Sequence, residues 1–440
     1  MIEVFMILFS VFNFFIFFNN PVFFFKKKKT YFREINLFDI MIVNSVIYIN
    51  LLLCFSFFPI NSNYIFLIIS LLSYLLFFLK FKNYYDLFKK NLIIFSLFFF
   101  ILFCLFIKIA YDPILGWDGA HHWLIKAKVF FDGGYIKNLK GVMMDYYPHL
   151  GTYLWAFFWK NSYMQIEYFG RFVFIFLFVI SFFSCFYNFQ SYSKLTKCSL
   201  ILILIYLTTD LLLLKGYQEY LLFFSFYACS RIFIIFEKSV LSEENDNLFY
   251  LLLFGLTTNI FLWTKQEGFF HFFIINAIFL IHSKIKFSYK FIYIFLLAIL
   301  IIVFLFIKSY FFGHFQFHED IIKPSLLENL KPNILVTKLL LITKYIFISI
   351  FKNPIWLVIL ISTFFLFKTD AGMRYLKKNI FIVTFLFLEF GLVYAIFIFQ
   401  SADLKWLLPL TFSRVFFPIS GFLIFIVYDF CNKIRNYSSV

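Results

Sequence analysis

The sequence predicts an all-α polytopic membrane protein with about 13 transmembrane helices, within a range of roughly 11 to 14. Its 440 residues are 63% hydrophobic and only 14% charged, and the mean hydropathy is +0.90. Apolar runs of roughly 16 to 24 residues recur along the chain, and each is close to the length that crosses ~30 Å of hydrocarbon. Strands of a membrane barrel would alternate apolar and polar residues, whereas residues 98–107 are apolar on every side.

The apolar runs define the predicted spans in order. The first run lacks a basic region before it and a small-residue cleavage site, so it is predicted to be a span and not a signal peptide. Three spans within residues 1–91 precede a predicted core at 92–430, and residues 431–440 form a short tail. The predicted spans are residues 4–25, 37–59, 64–79, 92–110, 164–187, 199–214, 220–236, 248–263, 268–282, 291–307, 353–367, 380–399 and 415–430.

Lysine and arginine are distributed unevenly between the two sets of connecting loops. One set carries 21 of these residues, and the short loops of the other set carry 4. Because positively charged loops stay in the cytoplasm, the basic set is predicted to be cytoplasmic, together with the tail. The same bias explains the net charge of +16 without a nucleic-acid partner. We expect a multi-pass protein of a bacterial inner membrane, with its active site facing the periplasm or the exterior.

The unusual polar segments all fall on the predicted outer face. Residues 332–352 place lysines among apolar residues and are predicted to be an amphipathic helix on that surface. The alternative, a further span, would reverse the orientation of everything after it. The outer segments are two long loops, 111–163 and 308–352, and the short loops 215–219, 264–267 and 400–414.

The cysteines and the cytoplasmic loops exclude several kinds of site. Six cysteines are scattered without CxxC spacing, so neither a disulfide framework nor a zinc site is predicted. The cytoplasmic loops hold no Gly-rich phosphate loop, so an activated substrate has to arrive on the outer side or through the lipid. No cofactor is predicted, and a requirement for a divalent metal is left open.

The longest polar interruption begins after the fourth predicted span. Pro113 and Gly116 break that span, and a helix from Asp118 places His121 and His122 three and four residues on, beside the carboxylate. In the alternative interpretation Asp118 only caps the helix, a position that aspartate favours. A metal shared by the two histidines is disfavoured, because adjacent residues on a helix point about 100° apart.

Three further outer segments carry charged side chains. Glu219 ends the turn at 215–219 and is either a second carboxylate near Asp118 or an ordinary polar turn residue. Lys265 either contacts a phosphate or is neutralised by Glu267. Arg414, just before the last predicted span, either anchors that span or binds a lipid phosphate.

Other polar residues have less defined interpretations. His314 and His318 have a spacing that suits zinc on a helix, against the alternative of a solvated loop. Glu389 lies near the middle of a predicted span, and Asp210 lies near the end of another. Carboxylates in such positions are functional candidates by default.

These segments together resemble the C-type integral-membrane glycosyltransferases (GT-C), which include protein O-mannosyltransferases and the aminoarabinose transferase of lipid A. The resemblance covers roughly residues 92–430. It depends on Trp117-Asp118 with Trp123-Leu-Ile-Lys126-Ala127-Lys128, Tyr147-Pro148-His149-Leu150, Gly216-Tyr217-Gln218-Glu219, Lys265-Gln266-Glu267-Gly268, and Ser413-Arg414 followed by Pro418. Two features depart from the family: Gly119 stands where protein mannosyltransferases have a second acid, and three spans precede the shared core.

The resemblance implies a GT-C-like fold and a catalytic role for Asp118, with Glu219 where the family often has a second acidic residue. The donor would be a polyprenyl-phosphate-linked sugar, and the acceptor a glycan, a lipid or a protein. Lys265 and Arg414 are predicted to contact the donor phosphate. The predicted substrate-binding residues are Trp117, His121, His122, Lys126, Tyr147 and Glu267.

The predicted activity is therefore an inverting sugar transfer on the extracytoplasmic face, with Asp118 as general base. Two alternatives stay open. One is a flippase for lipid-linked oligosaccharides or another transporter, and the other is a polymerase or ligase of surface polysaccharide.

Overall fold

The computed structural model confirms the predicted class, an integral multi-pass helical membrane protein, because every regular element in the part of the chain it describes is a helix. Nine helices among these residues are long and apolar enough to cross a membrane, and four more are apolar but shorter. The described residues are 2–18, 37–162, 165–187, 199, 201–202, 205–206, 214–241, 247–283, 286–313, 330–368, 370, 373, 377, 379–400 and 403–427.

The chain divides into two compact units, Met1–Leu221 and Leu222–Val440. The helices of the first unit are α1 Ile2–Phe18, α2 Leu37–Ser56, α3 Ser62–Leu79, α4 Phe81–Lys90, α5 Leu92–Tyr111, α6 Leu124–Phe131, α7 Leu150–Lys160 and α8 Glu167–Tyr187, and α9 Glu219–Leu241 begins there. The helices that follow are α10 Asn247–Thr264, α11 Glu267–His282, α12 Phe287–Phe312, α13 Pro332–Lys352, α14 Pro354–Phe367, α15 Phe381–Ile398 and α16 Leu404–Phe416.

Helix α8 is the centre of the first unit. Helices α1, α2, α5 and α7 pack against it, and nearly all of its most apolar stretch is buried. Phenylalanine rings fill these contacts: Phe14 stacks on Phe158 with 4.5 Å between ring centroids, and Phe18 stacks on Phe176 at 5.4 Å. The rings pack in offset and edge-to-face arrangements, which aromatic pairs favour. The three N-terminal helices thus belong to the same unit as the segment 111–163.

The segment 111–163, which is predicted to face the outside, contains helices too short to span a bilayer. Helices α6 and α7 have 8 and 11 residues, so their lengths are about 12 and 16 Å. They pack on each other, and α7 packs on α8. Gly133, with φ +96°, ends α6 in a conformation that residues with a side chain rarely adopt. The polar residues of this segment are therefore carried by packed helices and the turns between them.

Helices α11 and α13 each pack against α15 in the second unit, and α13 also packs on α14 and α16. The prediction of an outer loop at 400–414 is wrong, because α16 begins at Leu404 and the helical segment runs on to Val427. Asp403 caps it by accepting a hydrogen bond from Lys405 N at 2.9 Å, and Pro409 lies inside without ending it.

Two other sequence predictions have mixed outcomes. Residues 332–352 are helical, as predicted, and α13 meets the length and composition of a span, so its position on the membrane surface stays a prediction. Residues 80–90, between the third and fourth predicted spans, were predicted to be a basic cytoplasmic loop. They contain the helix α4. Most of the predicted span 199–214, with Asp210, and the pair His314 and His318 lie outside the described residues.

Candidate functional site

Asp118 lies in the first turn of a helical segment that begins at Trp117, close to the predicted start, but it does not act as a cap. Its backbone is itself helical (φ −62°, ψ −38°), and its carboxylate accepts no capping hydrogen bond from the π-helix Gly119–Trp123 that follows. The helix-cap interpretation of Asp118 is therefore wrong. The side chain is half-buried. A π-helical turn is wider than an α-helical one and is often found at functional sites.

The turn before Glu219 packs directly on the turn before Asp118. Gly116 N donates a hydrogen bond to Lys215 O at 2.9 Å. A Cβ atom on Gly119 would lie 2.3 Å from the same carbonyl oxygen, so only glycine allows this approach. Gly216 has φ +82°, which lets the chain reverse at this point. The turns that precede Asp118 and Glu219 are thus in contact within the first unit.

Gln218 and Glu219 are both fully buried. Glu219 lies in the first turn of α9, where the helix dipole favours a negative charge. The Gln218 amide lies against Gly151, where a Cβ atom would come within 2.3 Å of Oε1. Neither side-chain amide atom of Gln218 has a hydrogen-bond partner among the described residues. Sequence reasoning named the turn but gave Gln218 no role, although glutamine beside glutamate in so short a turn was a signal.

An exposed aromatic pair flanks Asp118. Trp117 is 59% exposed, and its ring stacks on His121 with 5.0 Å between centroids and 22° between planes. His121 Nδ1 donates to Trp117 O at 2.9 Å, so Nε2 is the acceptor nitrogen when the ring is neutral. His122 is buried and meets Trp117 edge-on. Among the described residues, no three metal-ligating side chains lie close enough together to hold a metal ion.

Lys126 points into the protein. It is fully buried, and its ammonium donates a hydrogen bond to Met144 O. The Nζ atom of Lys126 also lies 5.7 Å from the ring centroids of both Trp123 and Tyr147. Through these contacts Lys126 connects α6 to the segment around residue 145. They support a structural role for this lysine better than the predicted contact with a substrate. Tyr147 is half-buried beside it.

Burial lowers the pKa of Lys126 from 10.5 to about 7, and the nearby Asp145 carboxylate opposes the shift. Because this value lies below that of the unfolded chain, the unfolded state binds the extra proton between about pH 7 and about pH 10.4. The stability of the protein should therefore rise with pH across this window, by at most about 1.4 kcal/mol per pH unit. Thermal unfolding in detergent at a series of pH values measures the slope.

Lys126→Met is expected to remove this contribution to the slope. Lys128→Met is the matched control, because Lys128 is exposed on the same helix, and it should leave the slope unchanged. An equal slope in wild type and Lys126→Met would contradict the prediction.

In the second unit, Lys265 lies at the start of α11. Its Nζ atom is 3.9 Å from Glu267 Oε1, which agrees with the interpretation that the two charges neutralise each other. Lys265 is buried and Glu267 is partly exposed. Between them, Gln266 is buried with no partner for its amide atoms among the described residues. Gly268 allows the turn to approach α10, since a Cβ atom there would lie 2.0 Å from Phe261 O.

Arg414 and Glu389 differ from their predicted surroundings. Arg414 is half-buried inside the helical segment Leu404–Val427. The prediction had placed it in a loop just before the last span. Glu389, for which the sequence offered no partner, is paired with His271 at 2.8 Å.

No protein-family model matches this chain, and no curated protein or solved structure is significantly similar to it.

Proposed function

We propose that this protein is a GT-C-type membrane glycosyltransferase that moves a sugar from a polyprenyl-phosphate donor to a glycan, lipid or protein acceptor on the extracytoplasmic face. The observation that carries the proposal is the contact between Gly116 N and Lys215 O. It joins the half-buried Asp118 turn to the buried Gln218-Glu219 helix start. A site that combines an accessible carboxylate with buried polar groups suits a hydroxyl-rich substrate.

Asp118 is the general base in this reaction. Its carboxylate takes the proton from the acceptor hydroxyl, whose oxygen forms a bond to the anomeric carbon of the donor sugar. The bond from that carbon to the phosphate oxygen breaks on the opposite face, and the polyprenyl phosphate leaves as an anion, so the configuration inverts. The leaving phosphate is a stable anion and therefore needs little help from a general acid. Glu219 then serves to orient the acceptor or the base.

The aromatic pair beside the base supports a role in sugar binding. The Trp117 and His121 rings offer an exposed face, and aromatic faces pack well on the apolar face of a pyranose ring. His122 contacts the Trp117 ring edge-on. Lys265 and Arg414 stay proposed contacts of a donor phosphate, and Glu267 stays a proposed substrate contact.

Gln218 is the proposed hydrogen-bonding group for a substrate hydroxyl. Gln218→Leu keeps the volume but removes a buried amide that has no hydrogen-bond partner among the described residues. The free energy of unfolding of the variant should therefore be higher by about 1–3 kcal/mol. Its transfer activity should fall by about ten-fold or more, because the substrate hydroxyl loses its partner. Thermal unfolding and a transfer assay on the same preparation measure the two effects.

Tyr153→Phe is the matched control for that variant. It also removes a buried polar atom of the first unit that has no hydrogen-bond partner in the part of the chain that the structure describes, and it should keep full transfer. A Gln218→Leu protein with unchanged transfer would rule out the assigned role of Gln218.

One alternative function has an observation in its favour. A flippase for lipid-linked oligosaccharides, or another transporter, needs charged groups at mid-membrane depth, and the buried pair of His271 and Glu389 is such a group. A polymerase or ligase of surface polysaccharide shares the donor chemistry and differs in its acceptor.

Mass spectrometry of surface glycans and of lipid-linked intermediates, with and without the gene, tests the proposal. We expect one sugar to disappear from the surface glycan while its polyprenyl-phosphate donor accumulates. An unchanged glycan profile and unchanged lipid-linked sugars would rule out the proposed function.

A further inference from the structure

A short helix of the first unit, α4, connects two helices that meet the length and composition of membrane spans. Helix α3 ends at Leu79 and helix α5 begins at Leu92, and only Lys80 and Asn91 separate them from α4. With 10 residues, α4 is about 15 Å long and cannot cross ~30 Å of hydrocarbon. The end of α3 and the start of α5 therefore lie at one surface of the membrane, and α4 joins them there.

Two exposed aromatic residues of α4 extend the apolar surface of the neighbouring spans. Phe81 is 53% exposed and Tyr85 is 57% exposed. They are four residues apart, so they lie on the same side of the helix. Tyrosine is enriched at the boundary between membrane and water. Exposed apolar side chains also come just before and just after α4, at Phe78, Leu79, Leu92 and Ile93.

Exposed lysines flank this aromatic pair. Successive residues of a helix are about 100° apart around its axis, so Lys82 and Lys89 lie about 60–80° from the middle of the pair, and Asp86 lies about 120° from it. All three side chains are exposed. Neither lysine forms an ion pair with any residue that the structure describes. When the aromatic pair points into the membrane, the lysines are level with the lipid headgroups and the acidic residue faces the water.

Protein contacts cover little of α4. In the part of the chain that the structure describes, α5 is the helix that packs most against it, and the Phe81 ring meets Phe77 of α3 with 6.0 Å between centroids. A helix of ten residues is marginal in water by itself, and most helices in proteins depend on packing of an apolar side. The membrane surface can supply that packing for α4.

We propose that α4 lies on the membrane surface and binds the phosphate groups of anionic phospholipids through Lys82 and Lys89. The ammonium groups reach the phosphates while the methylene stems lie along apolar surface. An anionic leaflet attracts basic segments next to a span. The ligand is a lipid headgroup and not an acidic protein segment, because the lysines flank an aromatic pair that continues the surface of α3 and α5. This site is independent of the proposed sugar transfer.

Hydrogen–deuterium exchange of the full chain in nanodiscs tests the proposal. The nanodiscs contain phosphatidylcholine alone or phosphatidylcholine with phosphatidylglycerol, and mass spectrometry follows the amides of residues 80–91. We expect their exchange to be slower by about ten-fold or more with phosphatidylglycerol, because each lysine near an anionic surface adds attraction. Salt at about 1 M shortens the Debye length to about 3 Å and should remove most of the difference.

The double variant Lys82→Gln/Lys89→Gln should exchange at the same rate in both lipids. Lys137→Gln/Lys140→Gln is the matched control, because it removes the same charge from two exposed lysines of the segment 111–163, and it should keep the difference. Equal exchange of wild-type α4 in the two lipids would overturn the proposal, whether it is fast because water surrounds α4 or slow because protein covers it. A lipid-dependent difference that survives in Lys82→Gln/Lys89→Gln would overturn it as well.

Discussion

Asp118→Asn is expected to abolish sugar transfer while the protein stays in the membrane at normal abundance. Asparagine keeps the shape of the side chain and can hydrogen-bond, but it cannot accept the proton of the acceptor hydroxyl. Loss of a general base typically lowers the rate by about 10²–10⁴-fold. The Asp118 carboxylate does not cap the helix that follows, and asparagine has nearly the same shape, so the replacement is expected to leave that helix in place. Complementation of a deletion strain, read out by mass spectrometry of the glycan, measures the loss.

Asp132→Asn is the matched control for this variant. Asp132 is an exposed carboxylate just beyond the end of α6, and its replacement should restore the glycan fully. Equal restoration by Asp118→Asn would remove the base from the proposed mechanism.

Gly119→Ala is expected to damage both stability and transfer. The added Cβ atom would lie 2.3 Å from Lys215 O, a backbone atom already held by the hydrogen bond from Gly116. The turn at 215–218 must move away, which displaces Glu219 relative to Asp118. Overpacking of this kind costs about 1–3 kcal/mol of stability, and a shift of about 1 Å at a catalytic group lowers the rate by about 100-fold. Thermal unfolding and the same complementation assay measure the two losses.

Gly391→Ala provides the comparison. Gly391 lies inside α15, and a Cβ atom there meets no other atom within 4 Å. Alanine favours a helix over glycine by about 1 kcal/mol, so this variant should be at least as stable as the wild type. If Gly119→Ala were as stable and active as Gly391→Ala, the close packing of the two turns would have no functional importance.

Most spans could be predicted from the sequence because hydropathy over a window of about 20 residues is a local property. The error at 400–414 has a physical reason. Lys405, Ser413 and Arg414 lower the local hydropathy, yet a capped helix with a half-buried arginine continues through them to Val427. The helices within 111–163 were also missed in part, because α6 and α7 are too short for a span and mix polar with aromatic residues.

The candidate site could be predicted only where its signal is local. The helix from Asp118 follows from the breaks at Pro113 and Gly116, and the structure confirms it. The burial of Gln218 depends on Gly151, which lies far away in the chain. The partner of Glu389 lies 118 residues away. Contacts of this kind arise from helix packing, which one sequence does not encode in any local pattern.

The most direct test of the proposed function uses purified protein in liposomes, supplied with the lipid-linked sugar that accumulates in the deletion strain and with the acceptor that then lacks it. A glycosyltransferase should release polyprenyl phosphate and produce the glycosylated acceptor, with wild type but not with Asp118→Asn. If instead the intact sugar lipid crosses the bilayer without release of phosphate, and Glu389→Gln impairs this more than Asp118→Asn does, the protein is a transporter and not a glycosyltransferase.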